Sequence, residues 1–390
     1  MKLNKWIPHI LIGVITAFLF LIQLRLIWIW SLIFVIANLF VILITTPNEK
    51  LRILLINLIV IPIALLCAES YFKFGISNQV PFMMGSHTTD SYYQSDPILG
   101  YSPQPNSERA SKKMIGDTII YDVVYTIDDK GFRSTPYSDL DSRRCLLFFG
   151  GSFVFGEGLE NDETIPSLVG KFSDEEKKIF NLGFHGYGPH QMLASIQNDK
   201  VKNILLNCEF FDAFYIGHPQ HVERSAGKVS WDRNGPKYVL NNNQLENVGS
   251  FSSNPNQKIK RLFRSVLNQS ALYQRLFLSK PANVTPNELD TYIEIIFESQ
   301  QSLKEYESFS SFSVVFWDTP QTDIHGIMWN RSNKIIDAFS AHKINFYLVS
   351  EILPDYDADQ DKYVLSPFDL HPNQTANQLI AFFLADKISN

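Results

Sequence analysis

The chain has 390 residues, which is enough for one large domain or two smaller ones. Its formal net charge of −6 and the lack of a long basic arm argue against a nucleic-acid-binding protein. Apolar residues make up 45% of the chain but are concentrated in residues 6–68, so the remainder has the composition of an ordinary soluble domain.

Three apolar runs near the amino end each reach the length of a membrane-spanning helix. They cover residues 6–23, 26–45 and 51–68. A span needs about 20 apolar residues, with about 17 as the lower limit. The first run is too long for a cleavable signal peptide, and no small-residue cleavage site follows it. The sequence therefore predicts an anchor of about three transmembrane helices in residues 1–69.

Lysine and arginine residues predict the orientation of this anchor. The amino end carries Lys2 and Lys5. The loop between the second and third runs carries Lys50 and Arg52, whereas Arg25 alone marks the first hairpin. Segments rich in positive charge stay in the cytoplasm, so the amino end and the second loop are expected there. Three spans then place the chain after residue 70 outside the cytosol, in the periplasm or at the cell surface.

Beyond the anchor, two regions differ in pattern. Residues 70–140 begin with a mixed, polar stretch containing several prolines, which predicts a linker and an extended entry segment, with one strand at 118–127. From residue 141 onward, short apolar strands alternate with helices. This alternation predicts the α/β class, with a parallel sheet covered by helices on both faces. The predicted core strands cover residues 145–149, 178–182, 212–216, 311–317 and 344–349.

Residues 223–283 are predicted to be an insertion into this α/β domain. Apolar residues recur there at helical spacing between positions 259 and 276, and lysine and arginine residues line the opposite face. A basic amphipathic helix can lie on an anionic membrane surface. The alternative is a lid helix that packs on the domain with its charges in solvent, and the sequence leaves both open.

Cysteine content argues against two kinds of site. Cys67, Cys145 and Cys208 are too few for a disulfide framework, and we expect three unpaired thiols. No CxxC pair or clustered Cys/His spacing is present, so no metal site is expected.

The strongest local signal for chemistry is a serine directly after the first core strand. The segment Gly150-Gly151-Ser152 stands at the carboxyl end of that strand, where active sites of parallel sheets gather. Backbone N–H groups at the start of a following helix can bind a developing oxyanion. Flanking glycines let a substrate approach the backbone. The alternative is a glycine-rich turn with a serine that only caps a helix.

A second signal lies just before the predicted closing helix at 375–388. Asp369 and His371 are two residues apart there, followed by Pro372 and Asn373. A histidine can take the proton of a serine hydroxyl, and a carboxylate can orient its other ring nitrogen. Asp369 and His371 are therefore candidate partners of Ser152.

A third segment, 181–188, ends the second core strand. Its sequence is Asn-Leu-Gly-Phe-His-Gly-Tyr-Gly, with Gly186 as a candidate backbone donor to an oxyanion. His185 in this segment is expected to be a packed loop residue.

These three segments, in this order, resemble the SGNH (GDSL-type) hydrolase family, in particular its membrane-attached members. Gly151-Ser152 matches the family's serine block, Gly186 its second-block glycine, and Asp369 with His371-Pro372-Asn373 its terminal block. The upstream stretches 96–101 and 125–133 also resemble the entry segment of membrane-attached members. The resemblance covers about residues 95–390 and implies a three-layer α/β domain of flavodoxin-like type.

The sequence departs from the family pattern at three places. Gly151 stands where the family has aspartate, and Asp369 precedes His371 by two residues where the usual spacing is three. The family's Gly-x-Asn-Asp block is missing after the third core strand. The loop at that place carries His218, Gln220, His221 and Arg224. His221 is the predicted replacement for the missing asparagine donor.

The resemblance implies a serine esterase without a cofactor. Ser152 would attack an ester carbonyl, His371 would transfer the proton, and Asp369 would hold the imidazole. Ser152 and Gly186 N–H groups, with His221, would bind the oxyanion. The expected substrate is an acyl ester, such as an O-acetyl group, on a cell-envelope glycan or lipid.

Three alternative functions are also compatible with parts of this pattern. One is an acyltransferase that passes the acyl group to a sugar hydroxyl, and another is a non-catalytic envelope protein that binds glycan. An α/β-hydrolase fits less well, because position 154 is valine where the G-x-S-x-G elbow ends in glycine.

Overall fold

The computed structural model describes two compact units. The described residues are 27–75, 83–87, 92–253 except 116, 230 and 243, then 267, 270–273, 276, 283–319 and 327–389. The first unit comprises residues 1–82 and 254–280, and the second comprises residues 83–253 and 281–390. The predicted span 6–23 lies outside the described residues, as does most of the predicted amphipathic helix at 259–276.

The described residues of the first unit include the apolar helices α1 (Ile27–Thr45) and α2 (Glu49–Ser70). The Asn48 side chain caps α2 by accepting a hydrogen bond from the Leu51 N–H at 3.2 Å. In the described part of the chain, one helix is long and apolar enough to cross a membrane, Glu49–Lys73, and the apolar helix Ile29–Thr45 is shorter. These residues therefore support one membrane-spanning helix and do not support the predicted three.

Glu69, near the end of α2, ties the insertion to this same unit. Its buried carboxylate accepts hydrogen bonds from the Ser270 hydroxyl at 2.7 Å and from the Ala271 and Leu272 N–H groups at 2.7 and 3.1 Å. A carboxylate that binds the first N–H groups of a helical turn acts as a cap supplied from another part of the chain. The turn Ala271–Tyr273 is thus fixed to the end of the long apolar helix.

The second unit begins with strands where the sequence predicted a linker and entry segment. They are β1 (Met83–His87), β2 (Tyr93–Asp96), β3 (Gly100–Pro103), β4 (Ser107–Ile115) and β5 (Thr118–Ile127). β2 and β3 form a hairpin, and β1, β4 and β5 form an antiparallel sheet. The strand predicted at 118–127 is confirmed.

In the described residues of the α/β part, nine strands follow. They are β6 (Arg144–Gly150), β7 (Lys178–Asn181), β8 (Phe210–Gly217), β9 (Pro236–Asn241), β10 (Gln244–Ser250), β11 (Phe309–Phe316), β12 (Asn345–Leu348), β13 (Val364–Ser366) and β14 (Asp369–Pro372). Five of them form one parallel sheet in the order β12-β11-β8-β6-β7. This is the 2-1-3-4-5 order of flavodoxin-like folds, so the predicted α/β class and its parallel sheet are confirmed. Each predicted core strand is found within two residues of its predicted ends.

Helices cover both faces of this sheet. They are α3 (Ser152–Phe155), α4 (Ile165–Phe172), α5 (Pro189–Gln197), α6 (Lys202–Leu205), α7 (His221–Ser225), α8 (Pro286–Lys304), α9 (Ile327–Ala341), α10 (Val349–Ile352) and α11 (Gln374–Ser389). Successive residues of β6 point to opposite faces. Leu146 packs with α4 and α11, and Leu147 packs with α5, α8 and α9. Helices α5 and α6 are separate, because Asp199 between them has a left-handed φ of 58°.

The expectation of three unpaired thiols is wrong for two of them. Cys145, the second residue of β6, forms a disulfide with Cys208, just before β8, and their Cα atoms are 5.8 Å apart. β6 and β8 are neighbours in the sheet, and this pairing brings together two cysteines that are 63 residues apart in sequence. Cys67 in α2 is a free thiol.

Candidate active site

The candidate nucleophile, Ser152, lies just beyond the carboxyl end of β6. Ser152 is the first residue of the single-turn helix α3, and its side chain is nearly buried. A Cβ atom on Gly151 would lie 2.5 Å from Nη1 of Arg224 and 3.0 Å from the carbonyl oxygen of Tyr187. The turn before the serine is therefore packed too closely for a side chain at position 151, where the resembled family has aspartate.

The β13–β14 hairpin presents the other two predicted residues to Ser152. Residues i and i+2 of a strand point to the same side, so the two-residue spacing brings Asp369 beside His371. His371 Nδ1 lies 2.6 Å from Asp369 Oδ1, and His371 Nε2 lies 2.9 Å from Ser152 Oγ. The three residues thus form one chain of hydrogen bonds. The unusual spacing is compatible with this geometry because β14 is a strand.

A lysine that was not predicted from the sequence also contacts these three hydrogen-bonded residues. Lys113 on β4 places its Nζ 2.6 Å from Asp369 Oδ2, and both side chains are largely shielded from solvent. Burial raises the pKa of Asp369, but hydrogen bonds and charge from His371 and Lys113 outweigh burial and leave that pKa below its ordinary value. Asp369 is therefore ionised at neutral pH. It accepts the Nδ1–H of His371, which leaves Nε2 of the neutral imidazole to accept the Ser152 proton.

A second carboxylate stands on the other side of the same imidazole. Glu157 Oε2 lies 3.3 Å from His371 Nε2 and 2.7 Å from Nδ1 of His185. Burial lowers the pKa of His371, but the carboxylates of Glu157 and Asp369 outweigh burial and raise it above its ordinary value. His371 therefore holds its second proton more tightly than an unperturbed histidine does.

Candidate oxyanion donors lie on two loops around the Gly151 turn. On the loop after β7, Gly186 has a left-handed φ of 74° and precedes Tyr187, whose carbonyl oxygen contacts that turn. Two N–H groups of this loop are already bound, those of Tyr187 to the Phe184 carbonyl and of Gly188 to the Gln191 side chain.

His221 occupies the place after β8 that the sequence analysis assigned to the third donor. Its Nδ1 lies 2.5 Å from the Tyr215 hydroxyl, and its Nε2 lies 3.3 Å from the position that a Cβ of Gly151 would take. Burial, with nearby His218 and Arg224, lowers the pKa of His221 well below its ordinary value, so the ring is neutral. Burial also keeps the Tyr215 hydroxyl protonated, since it raises the Tyr215 pKa. If Tyr215 donates to Nδ1, the neutral His221 ring carries its proton on Nε2, the ring nitrogen that lies next to the serine turn.

Two further residues of this loop also pack near the serine. Arg224 donates to the Tyr187 carbonyl at 2.6 Å and lies against Gly151. The His218 ring lies tilted against the rings of Phe153 and His221, with ring centres 5.2 and 4.0 Å away. Among the residues that the structure describes, no group of three His, Cys, Asp or Glu side chains is arranged to hold a metal ion.

The missed residues differ in the signal they left in the sequence. Glu157 lies five residues after Ser152 in the same glycine-rich segment, so an acidic side chain there was visible but had no assigned partner. Lys113 lies 256 residues before Asp369, in a segment rich in polar residues, and nothing in the local sequence pattern predicted this contact. His185, expected to be a packed loop residue, does pack against the Phe155 ring, and it also binds Glu157.

Comparison with known proteins finds similarity only at the level of solved structures. No family model and no curated protein sequence match the chain. One similar structure is a member of the lipolytic G-D-S-L family from Veillonella parvula, at 10% identity and a TM-score of 0.36, covering 61% of this chain and 94% of that one. Another is an acetyl xylan esterase from the rumen bacterium Butyrivibrio proteoclasticus, at 11% identity and a TM-score of 0.33, covering 74% and 71%. What this chain does is therefore inferred from the geometry of its own site.

Proposed function

We propose that this protein is a membrane-anchored serine esterase with Ser152 as nucleophile, His371 as general base and Asp369 as the residue that orients the imidazole. One observation carries the proposal. Ser152 Oγ lies 2.9 Å from Nε2 of His371, and Nδ1 of the same ring lies 2.6 Å from the Asp369 carboxylate. Both distances are within the range of hydrogen bonds between a nucleophile, its base and an orienting carboxylate.

In the proposed reaction, Ser152 Oγ forms a bond to the ester carbonyl carbon while its proton passes to His371 Nε2. The tetrahedral intermediate then breaks its bond to the leaving alcohol, which takes the proton from Nε2. Water attacks the acyl-enzyme in the same way, losing its proton to Nε2, and the acid and free Ser152 are released. Ionised Asp369 stabilises the imidazolium in both halves of the reaction.

The oxyanion of the intermediate is assigned to donors around the Gly151 turn. Ser152 N–H is at the start of α3, and Gly186 N–H belongs to the loop whose next carbonyl contacts that turn. His221 is proposed as the third donor, because its ring is neutral and its Nε2 lies beside the same turn, where the Nε2–H tautomer can donate. The loss of one such donor typically lowers turnover by about a hundredfold or more.

The proposed substrate is a short acyl ester, in particular an O-acetyl group, on a cell-envelope glycan or lipid. The long apolar helix supports a site of action at the membrane.

The catalytic unit is proposed to lie outside the cytosol. The buried Cys145–Cys208 disulfide supports this placement, because structural disulfides persist in oxidising compartments and are rare in the cytosol. The distribution of lysine and arginine around the apolar segments favours the same side.

The test uses the full chain in detergent, a short-chain aryl ester and an active-site phosphonate. Ser152→Ala is expected to abolish hydrolysis and phosphonate labelling while the melting temperature stays within about 2 °C, since removal of a triad nucleophile typically costs several powers of ten in rate. Ser134→Ala, on the loop before β6, is the matched control and should keep full activity. Hydrolysis that survives in Ser152→Ala would refute the assignment.

Two further arms separate the alternatives. Transfer of the acyl group to added glycan in preference to water would identify an acyltransferase that uses the same serine. Wild-type protein that neither hydrolyses the ester nor reacts with the phosphonate, yet binds glycan, would identify a non-catalytic envelope protein.

A further inference from the structure

A tight turn directly after Ser152 places Glu157 close to the serine. Helix α3 lasts one turn, and Gly156 ends it with a left-handed φ of 80°. The N–H groups of Gly156 and Glu157 then both donate to the Ser152 carbonyl, at 2.9 and 3.0 Å. The chain reversal places the Glu157 side chain under the serine, at the Nε2 side of His371.

Both partners of Glu157 bind the same carboxylate oxygen. Oε2 lies 2.7 Å from His185 Nδ1 and 3.3 Å from His371 Nε2. The second distance is longer than the 2.9 Å from Nε2 to Ser152 Oγ, so the serine keeps the shorter hydrogen bond. Glu157 therefore acts on the imidazole chiefly through its charge, and His185 fixes where that charge stands.

The environment keeps this carboxylate ionised. Burial raises the pKa of Glu157, but His371, His185 and Lys113 outweigh burial and hold it well below its ordinary value. Other titratable groups also face Glu157 or His371 from neighbouring elements. They are Tyr92, Tyr121, Tyr125, His218, Arg224 and Asp369. The fixed charges nearest the imidazole are thus two carboxylates, one at each ring nitrogen, and the ammonium group of Lys113.

We propose that Glu157 is a positioning residue of this site, a second carboxylate that stabilises the His371 imidazolium formed when Ser152 gives up its proton. The inference rests on the proposed serine esterase for its role in turnover, whereas the contact itself does not. The orienting carboxylate of a triad binds Nδ1, and Glu157 adds an opposite charge at Nε2, the nitrogen that carries the transferred proton.

Two measurable effects of opposite direction follow from this arrangement. A carboxylate near the imidazole makes His371 a stronger base, which favours proton transfer from Ser152. The same carboxylate keeps a larger fraction of His371 protonated at low pH, and the protonated ring cannot accept the serine proton. Because Glu157 raises the pKa of His371, activity should appear only as the pH rises through that raised value.

The experiment compares Glu157→Gln with wild-type full-length protein in detergent. The acid limb of the pH profile of kcat/KM is expected to move down by about 1 pH unit, the size typical for an opposite charge this close. The plateau rate at high pH is expected to fall at least threefold, while KM changes little. Glu160→Gln is the matched control, since its carboxylate binds the Val124 N–H on β5, and its acid limb should stay in place.

Glu157→Asp keeps the charge but shortens the side chain by one methylene, which moves the carboxylate away from the His371 imidazole. The acid limb of its pH profile should therefore lie between those of wild type and Glu157→Gln. This variant provides the test if Glu157→Gln does not fold. If the acid limb of the kcat/KM profile stays at its wild-type pH in the folded variants, the proposal is wrong.

An NMR titration of His371 in histidine-labelled full-length protein separates the two proposals, since it needs no turnover. A His371 pKa that falls in Glu157→Gln, in protein that shows no Ser152-dependent hydrolysis, would support the contact and refute the esterase. Ser152-dependent hydrolysis with a His371 pKa unchanged by Glu157→Gln would support the esterase and refute the role of Glu157.

Discussion

Replacement of Lys113 by methionine tests how the entry strands support the candidate site. The substitution keeps most of the apolar stem and removes the ammonium group that lies 2.6 Å from Asp369 Oδ2. Asp369 side-chain exposure is only 2%, so solvent cannot replace the lost partner. The carboxylate keeps its contact with His371, but it loses the nearest full positive charge.

The expected loss of stability can be worked out from this geometry. Unit charges 2.6 Å apart attract by about 6 kcal/mol at an effective dielectric constant of about 20, and desolvation of both groups offsets much of this. Removal of one partner of a buried pair typically costs about 3–5 kcal/mol. Because His371 still binds Asp369, we expect the lower end, about 3 kcal/mol, or about 6 °C in melting temperature for a unit of this size.

The neighbouring residue supplies a matched control. Lys112 also pairs with an aspartate, Asp122, at 2.8 Å, but both side chains are exposed to solvent. Exposed pairs contribute about 0.2–1 kcal/mol, so Lys112→Met should lower the melting temperature by no more than about 2 °C. Thermal melting of the full-length variants near neutral pH gives the comparison. Equal losses for the two lysines would refute the reasoning that burial makes the Lys113 pair strong.

The same prediction carries a pH dependence with a definite sign. The folded-state pKa of Asp369 is lowered, so the stabilisation is complete above its unfolded pKa of about 3.9 and is lost as the pH falls through the folded value. The difference in stability between wild type and Lys113→Met should therefore be largest at neutral pH and become smaller below about pH 4. A gap that widens on acidification would contradict the assigned ion pair.

Three other predictions concern the oxyanion site, the disulfide and the topology. His221→Ala should lower kcat on the aryl ester by about a hundredfold in protein that still melts cooperatively, and an unchanged kcat would remove His221 as a donor. Replacing Cys145 and Cys208 by alanine frees a loop closed over 63 residues, so it should destabilise the protein by about 4 kcal/mol, read from thermal melting against the oxidised wild type. A reporter that is active only outside the cytosol, fused after Asn390, should be active, whereas activity of a cytosolic reporter there would reverse the proposed orientation.

Local patterns in the sequence were enough to predict the core of the fold. The five core strands are short apolar runs bounded by polar turns, and alternation with helices implied a parallel sheet. Helix α8 was missed although Thr285 and Glu288 form a capping box at its start, because its apolar residues follow a predicted insertion. Helix α9 was missed as well. The entry strands were largely read as linker, because proline and polar residues hide a pattern that only their pairing reveals.

The candidate triad was visible in the sequence because its pieces follow local rules. Ser152 stands at the end of a buried strand, and Asp369 and His371 share one strand at a spacing that directs both side chains the same way. Their meeting across 219 residues was expected from the family resemblance, because β14 lies outside the parallel sheet and no local rule brings it to the end of β6.

The charges that act on this triad were decided by tertiary structure alone. Lys113 reaches Asp369 across 256 residues, from a strand outside the parallel sheet. Glu157 lies close to Ser152 in sequence, yet its contact with His371 depends on the left-handed turn at Gly156 and on His185 from another loop. The disulfide likewise depends on β6 and β8 being neighbours. Local pattern determines which face or strand end a residue occupies, whereas ion pairs and pKa values depend on distances of a few ångströms between distant segments, and only packing sets those distances.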